Sequence, residues 1–222
     1  MRGVDLSFRP MPPSTTTAVG SRAPIAPKLA LLVAALVALV AAGCAGGFDP
    51  AGPCTTDGRA AGAYPDLEAV VPRDLFNRPP DLVDSGRNCS ATALGALATH
   101  GVTELRFAGS TWNTGSNGGV TLAILDAAGL KADWVHEFYR AGAEAGRNTE
   151  GVTPSEIDIG GINAYRVDTL NGESYQTVVD WQDGDLVRVV LVASFIRDVS
   201  SKAEHDAVVD EAIASALAAR DR

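Results

Sequence analysis

The residue types best suited to acid–base or metal chemistry in this 222-residue chain are its three histidines, His100, His136 and His205. An imidazole titrates near neutral pH and binds transition metals through either ring nitrogen. His136 and Glu137 begin the spacing of a helical zinc-protease motif, but Arg140 stands where the second histidine would be. The histidines fall in three separate predicted elements, and the sequence has no Gly-x-Ser-x-Gly nucleophile motif. We therefore predict no catalytic set and no metal site.

Aspartates on neighbouring predicted strands offer a second kind of chemistry. Asp168, Asp180 and Asp185 could together bind a hard cation, because carboxylate oxygens are the ligands that calcium prefers. We favour a simpler interpretation, in which Asp180 and Asp185 are turn and solvent residues. Arg166 and Arg188 would then be cross-strand partners of these carboxylates.

The chain has three cysteines, Cys44, Cys54 and Cys89. Cys44 ends an apolar segment, which leaves two cysteines in the part of the chain that follows. Outside the cytosol two such cysteines usually pair. A redox pair is disfavoured because no Cys-x-x-Cys spacing is present, and no histidine stands at ligand spacing from either cysteine. We predict a structural disulfide between Cys54 and Cys89.

An apolar segment at residues 29–42 has the features of an export signal. Its fourteen residues carry no charge, and Arg22 and Lys28 precede them. A membrane-spanning helix needs about 20 apolar residues, whereas signal peptides have a shorter apolar core followed by small residues. We predict a signal peptide over residues 1–43, with its apolar core at 29–43.

The residues before Cys44, Ala41-Ala42-Gly43, resemble the lipobox of bacterial lipoproteins, although that family usually has leucine where Ala41 stands. The resemblance implies cleavage before Cys44 and its lipidation. Two or more acyl chains suffice for stable anchoring. We therefore expect an exported protein that is anchored to the outer face of the bacterial cell membrane. The alternatives are ordinary cleavage, or retention of the segment as a single membrane helix.

The charge balance is acidic. Residues 1–43 hold four of the 18 basic and one of the 27 acidic residues, so the remaining 179 residues carry a formal charge of −12. Nucleic-acid affinity depends on neutralising phosphates with lysine and arginine, so this balance argues against a nucleic-acid partner. The Gly-rich stretch at 115–119 lacks the lysine of a phosphate-binding loop, and we predict no cofactor.

Residue composition divides the exported part into two regions. Residues 44–63 are rich in Gly, Ala, Pro and Thr and are predicted to form a flexible tether. Residues 64–222 are predicted to form one domain. Its predicted elements are a helical turn at 65–72, helices at 90–100, 131–145 and 202–219, and strands at 103–111, 120–125, 155–159, 162–168, 174–181 and 186–194.

Tight-turn dipeptides join the last four predicted strands, which indicates antiparallel pairing. They are Gly160-Gly161, Asn171-Gly172 and Asp183-Gly184. Strands joined by hairpins, with about three amphipathic helices packed on one face, predict an α+β fold rather than a Rossmann fold.

Several stretches of the domain also resemble an exported lipoprotein family of high-GC bacteria. They are Tyr64-Pro65-Asp66-Leu67-Glu68, Arg78-Pro79-Pro80, Leu105-Arg106-Phe107-Ala108, the helix containing Trp134 to Tyr139, and Ile159-Gly160-Gly161 followed by Tyr165. The resemblance implies a fold and export, and no catalytic residues. The element order is also similar, more distantly, to the α/β/α sandwich of PsbP-like proteins, which are binding or assembly factors.

The function expected from these observations is a lipid-anchored, non-catalytic domain that binds a protein or small-molecule partner, or that has an envelope-associated role. The alternative is an enzyme of an unrecognised kind, in which a histidine would converge with Asp168 or Asp180 in a cleft.

Overall fold

The computed structural model describes residues 48–115, 118–199 and 201–220 of the chain. The strands are β1 Gly58–Ala60, β2 Leu82–Asn88, β3 Leu105–Asn113, β4 Gly119–Asp126, β5 Thr149–Asp158, β6 Asn163–Asn171, β7 Ser174–Asp183 and β8 Leu186–Phe195. The helices are α1 Pro65–Glu68, α2 Ala91–Leu94, the 3₁₀ helix η1 Gly95–His100, α3 Ala132–Glu144 and α4 Lys202–Arg220. Among the described residues, no helix combines the length and hydropathy of a membrane span.

All eight strands form one antiparallel sheet in the order β1-β2-β3-β4-β8-β7-β6-β5. Two meanders, β1–β4 and β5–β8, are each paired in sequence order. The β4–β8 ladder joins them, pairing Gly119 with Ala193 and Leu125 with Val187. The predicted α+β class is confirmed.

The predicted hairpin turns are present in the second meander. Gly172 and Gly184 have φ of 58° and 62°, a region that glycine adopts without steric cost. Strand β5 begins at Thr149, earlier than predicted, and its register shifts between Glu150 and Thr153. Pro154 is tolerated in β5 because this strand lies at the edge of the sheet, where a missing N–H need not break a ladder.

Helices cover both faces of the sheet, which corrects the prediction that they share one face. Along β8, Val187 and Val189 belong to a core cluster with α3 and η1, whereas Val190 and Val192 belong to a cluster with α4. Alternate residues of a strand point to opposite faces. The apolar run of β8, Val189 to Val192, therefore belongs to a strand that is buried on both sides.

Helix α1 covers the same face as α4, over the first meander. Its Leu67 packs with Ala108 of β3 and Ile124 of β4. Ile124 is two residues from Leu122, which packs in the cluster beneath α4. The protein thus has three layers, with α1 and α4 on one side of the sheet and α2, η1 and α3 on the other.

Local signals set the helix ends largely as predicted. The Ser90 side chain accepts a hydrogen bond from the Ala93 amide, 3.1 Å away, at the start of α2. Ser201 accepts one from the Glu204 amide at 3.3 Å at the start of α4. Each serine satisfies one backbone donor that the first helical turn leaves unpaired.

Strands β1 and β2 are not among the elements predicted from the sequence. Strand β2 contains Gly86, whose added Cβ would come within 2.3 Å of the Gly58 carbonyl oxygen. Glycine is therefore needed there for β1 to approach. Residues 48–63 are part of the folded domain, which corrects the prediction of a flexible tether over 44–63 for the part that the structure describes.

We call residues 48–57 the N-terminal arm. The predicted disulfide is present and joins Cys54 of the arm to Cys89, just after β2, with 5.4 Å between the two Cα atoms. Asp57 also binds the segment after β2, since its carboxylate accepts hydrogen bonds from the amides of Cys89 and Ser90 at 2.6 and 2.8 Å. The arm is thus held to the sheet by covalent and polar contacts.

Removing the disulfide should destabilise the domain. In a variant with Cys54→Ala and Cys89→Ala, we expect the free energy of unfolding to fall by about 3–4 kcal/mol, because a bridge across 35 residues restricts the unfolded chain. Urea denaturation followed by circular dichroism measures this change. Thr56→Ala, at an exposed position of the arm, is the control and should unfold like the wild type. A loss below about 1 kcal/mol would contradict the proposed contribution.

Candidate functional site

A cleft of about 500 Å³ opens at the end of the sheet where β2 and β4 end and β3 begins. The N-terminal arm forms one wall through Pro50 and Gly52. The loop before β3, residues 101–104, and the loop after β4, residues 126–128, form the others. The cleft volume lies within the range of small-molecule sites, about 300–1,000 Å³.

Arg87 is the buried centre of the cleft wall, with an exposed fraction of 4%. Its guanidinium donates hydrogen bonds to the carbonyl oxygens of Asp49, Gly52 and Pro53 at 3.0, 2.7 and 2.9 Å. Its Nη1 lies 3.7 Å from a carboxylate oxygen of Glu104. Arg87 therefore fixes the arm against the sheet, while its buried Nε has no hydrogen-bond partner in the described structure.

Arg106 provides a second, more accessible positive charge in the cleft. It donates to the Asp126 carboxylate across the β3–β4 ladder, and its guanidinium lies 5.5 Å from the ring centroid of Tyr64. Burial alone would lower the pKa of Arg106, but the hydrogen bond and charge of Asp126 raise it. Its side chain is 39% exposed, so it can contact a ligand as well as Asp126.

A second polar cluster lies between α3 and the sheet. Asp180 of β7 is fully buried, and neither of its carboxylate oxygens has a hydrogen-bond partner in the described structure. His136 of α3 places Nδ1 3.9 Å from Asp180 Oδ2, beyond hydrogen-bond distance. Within the described part of the chain that nitrogen also has no hydrogen-bond partner. The ring of Tyr165 stacks on His136 with 5.0 Å between centroids.

Burial leaves both members of this cluster uncharged. Burial, with a smaller contribution from the negative charge of Asp133, raises the pKa of Asp180 to about 8. Burial and the positive charge of Arg140 lower the pKa of His136, against the opposing effect of Glu156. At neutral pH the pair is therefore a carboxylic acid beside a neutral imidazole, and no ion pair forms.

A third cluster lies between α4 and the opposite face of the sheet. The Thr177 hydroxyl donates to Asp168 Oδ1 at 2.5 Å, so its oxygen is left to accept from His205 Nε2 at 2.8 Å. Nδ1 of His205 then accepts from the Ser194 hydroxyl at 2.9 Å. This chain of hydrogen bonds assigns the proton of His205 to Nε2. Burial lowers the pKa of His205 to about 4, which keeps the imidazole neutral.

Three ligand atoms from Asp168, His205 and Asp206 lie within 4.8 Å of one another. Arg166 donates to both carboxylates, at 2.7 and 2.6 Å, and the ammonium of Lys202 lies 2.7 Å from Asp206. These two cations neutralise the carboxylates that a metal ion would need. Both nitrogens of His205 are also engaged with hydroxyls. The arrangement favours a structural network that fastens α4 to the sheet.

The structure separates the residues that the sequence suggested as a joint cation site. Asp168 faces α4, Asp180 faces α3, and Asp185 lies in the exposed β7–β8 turn. The interpretation of Asp180 as a turn or solvent residue is wrong, because α3 covers it. The prediction of a cross-strand partner is wrong for Arg166, because the Asp168 that it contacts lies two residues along the same strand, β6. Arg188 of β8 does pair across strands, with Asp183 of β7 at 2.5 Å.

The three histidines do not converge. The His100 ring stacks on Trp134 with 4.7 Å between centroids, and Nε2 lies 2.7 Å from Glu137. His136 and His205 lie on opposite faces of the sheet. Cys44, the predicted lipidation site, lies outside the described residues. The residues that line the cleft carry no motif, so sequence reasoning misses Arg87, whose role depends on pairing between β1 and β2.

Neither a protein-family model nor a curated protein matches the chain. Among solved structures, it is similar to the solution structure of cyanobacterial PsbP (CyanoP) from Synechocystis sp. PCC 6803. The two are 12% identical, the alignment covers 77% of this chain and 96% of that chain, and the TM-score is 0.35. A similarity this distant supports no statement about the fold family or the function of this chain. Membership of an exported lipoprotein family stays a prediction.

The buried carboxyl of Asp180 should make folding depend on pH. The folded protein keeps this proton up to about pH 8, whereas the unfolded chain releases it near 3.8. Stability contributed by the protonated form is present below 3.8 and is lost as pH rises to about 8, by about 5 kcal/mol in all. We expect urea denaturation of Asp180→Asn to lack this loss.

The matched control is Asp185→Asn, in the exposed turn after β7, which should keep the wild-type pH dependence. A parallel pH profile for wild type and Asp180→Asn would show that Asp180 ionises as an ordinary aspartate.

The neutral imidazole of His205 should have the opposite effect at lower pH. The unfolded chain binds a proton near pH 6.5 and the folded chain only near 4. Stability is therefore complete above 6.5 and falls by about 3 kcal/mol as pH decreases to about 4. His205→Gln should be less stable at neutral pH, because it loses two buried hydrogen bonds, and should lack that further fall.

The pH ranges of the Asp180 and His205 effects overlap. Comparing the free energy of unfolding of each variant with that of wild type at every pH separates the two effects. Ser215→Ala, on the same helix as His205, has no titrating group and should retain the wild-type fall. An acid-induced loss of equal size in His205→Gln would exclude His205 as its source.

Proposed function

We propose that the protein is an exported lipoprotein whose domain binds a small-molecule or protein partner, without catalysis, at the outer face of the membrane. The observation that carries this proposal is the polar cleft beside the N-terminal arm. Two arginines and two carboxylates line it: Arg87, Arg106, Glu104 and Asp126. Fixed charges around a concave space provide orientation and specificity for a ligand.

The arm supports the anchoring part of the proposal. Only three residues separate Cys44 from Phe48, the first described residue. Four residue steps span at most about 14 Å. A lipid on Cys44 would therefore hold the cleft close to the membrane surface. The disulfide and Arg87 would transmit that attachment to the sheet.

An enzyme is the second candidate, because His136 and the buried Asp180 resemble the histidine–carboxylate pair of acid–base catalysis. Two observations weigh against it. Asp180 is neutral near pH 7, so it would not stabilise an imidazolium on His136. Neither residue lines the cleft or the smaller cavity of about 20 Å³ beneath α3.

Substitution of Cys44 tests the anchor. After expression in a bacterium, wild-type protein should fractionate with membranes, and mass spectrometry of its N-terminal peptide should show an acylated cysteine at position 44. Cys44→Ser cannot form the thioether, so we expect an unacylated protein that keeps its apolar segment. The variant that lacks both Cys54 and Cys89 is the control and should still be acylated. An unmodified Cys44 in the mature wild type would exclude the lipoprotein proposal.

A further inference from the structure

The position of the cleft and the charges around it limit the class of ligand that it can bind. Strand β2 ends next to the start of β3, pairing Asn88 with Leu105, and Arg106 pairs with Asp126 at the end of β4. The cleft therefore opens at one end of the sheet. The N-terminal arm runs along the same opening, and its first described residue, Phe48, packs with its ring 5.6 Å from the Arg87 guanidinium.

The charged side chains at this end of the sheet do not favour the binding of a simple anion. Two guanidinium groups, on Arg87 and Arg106, face the carboxylates of Glu104 and Asp126, and the charge of Asp66 also acts on Arg106. The part of the chain after residue 43 carries a formal charge of −12. A purely anionic ligand would meet repulsion from these carboxylates and from the whole domain. A ligand with both a positive and a negative group would have a partner for each.

Two accessible side chains have unused capacity for such a ligand. The side chains of Arg106 and Glu104 are each 39% exposed. One nitrogen of Arg106 is bonded to Asp126, which leaves other guanidinium donors for a phosphate. Glu104 has a long contact of 3.7 Å to Arg87, so its carboxylate can accept hydrogen bonds from an ammonium group.

We propose that the cleft binds the phosphoethanolamine headgroup of a membrane lipid, with the phosphate on Arg106 and the primary ammonium on Glu104. The proposal rests on the proposed function, because the short link to Cys44 is what brings the cleft to the lipid surface. A trimethylated ammonium donates no hydrogen bond, so a choline headgroup is the disfavoured analogue. An anionic headgroup lacks the group that Glu104 recognises.

The test uses the acylated protein, purified from membranes and reconstituted in nanodiscs of phosphatidylcholine alone, or with added phosphatidylethanolamine or phosphatidylglycerol. Hydrogen exchange reports protection of the amides in the two cleft loops, 101–104 and 126–128. Of the three lipids, we expect only phosphatidylethanolamine to slow the exchange of these amides. Soluble glycerophosphoethanolamine, added to nanodiscs of phosphatidylcholine alone, should slow the exchange of the same amides.

Variants identify the groups responsible. Arg106→Gln and Glu104→Gln should each weaken binding of glycerophosphoethanolamine about tenfold or more, the loss expected for a charge-assisted hydrogen bond. The controls are Arg140→Gln and Glu144→Gln, an exposed pair on α3 that should leave binding unchanged. Urea denaturation of each variant confirms that it is folded. Glu104→Gln alters only a long contact of 3.7 Å to Arg87, so it is the variant that should disturb the fold less.

Three results would overturn the inference. Equal protection by phosphatidylglycerol would indicate surface electrostatics rather than headgroup recognition. Protection by the soluble headgroup without any effect of phosphatidylethanolamine in the bilayer would identify a soluble ligand instead of a lipid. Unchanged binding by both cleft variants would place the ligand elsewhere. Each differs from failure of the proposed anchor, which appears as an unacylated Cys44 in mass spectrometry and leaves soluble headgroup binding measurable in detergent.

Discussion

The pairing of β4 with β8 is the constraint on which the rest of the structure depends. These strands lie more than sixty residues apart in the chain, and their ladder from Gly119 to Leu125 is what makes one sheet from two meanders. Because β8 lies at the centre, both of its faces are covered, and the chain must supply helices to each side. Helix α3 follows β4 and crosses to β5 at the far edge, while α4 follows β8 and returns over the opposite face. The cleft where β2 and β4 end and β3 begins is therefore positioned by a ladder that contributes none of its charged residues. Asp126 follows directly after the last paired residue of β4, Leu125.

The buried polar groups beneath the two helical layers are stabilised in different ways. Beneath α4, His205 has a hydroxyl partner for each ring nitrogen, so its neutral form is fully satisfied. Beneath α3, Asp180 has no hydrogen-bond partner for either oxygen among the described residues, and burial keeps the proton on its carboxyl group. An unsatisfied buried polar group costs about 1–3 kcal/mol. The polar groups that we describe beneath α3 are thus less well satisfied than those beneath α4.

The sequence predicts most of the second meander and less of the first, for physical reasons. Turns such as Asn171-Gly172 and Asp183-Gly184 are local signals, so the hairpins that they form can be read from neighbouring residues. Strand β2 carries Gly86 and few apolar residues, and β1 has only three residues, so both depend on partners distant in sequence. The disulfide was predictable because cysteine pairing follows from compartment and count. The environment of Asp180 was not, because nothing in β7 alone shows that α3 will cover one face of it. Arg87 was missed for the same reason.

The arm changes how an anchored domain would sit on a membrane. A flexible tether of residues 44–63 would keep the domain at a root-mean-square distance of about 25 Å, whereas a fixed arm leaves a link of at most about 14 Å. Neutron reflectometry of the acylated protein on a supported bilayer measures this spacing directly. The account predicts protein density that begins within about 14 Å of the headgroups, with no thicker hydrated layer between them. A solvent gap near 25 Å would contradict it, because the arm would then have to be detached from the sheet.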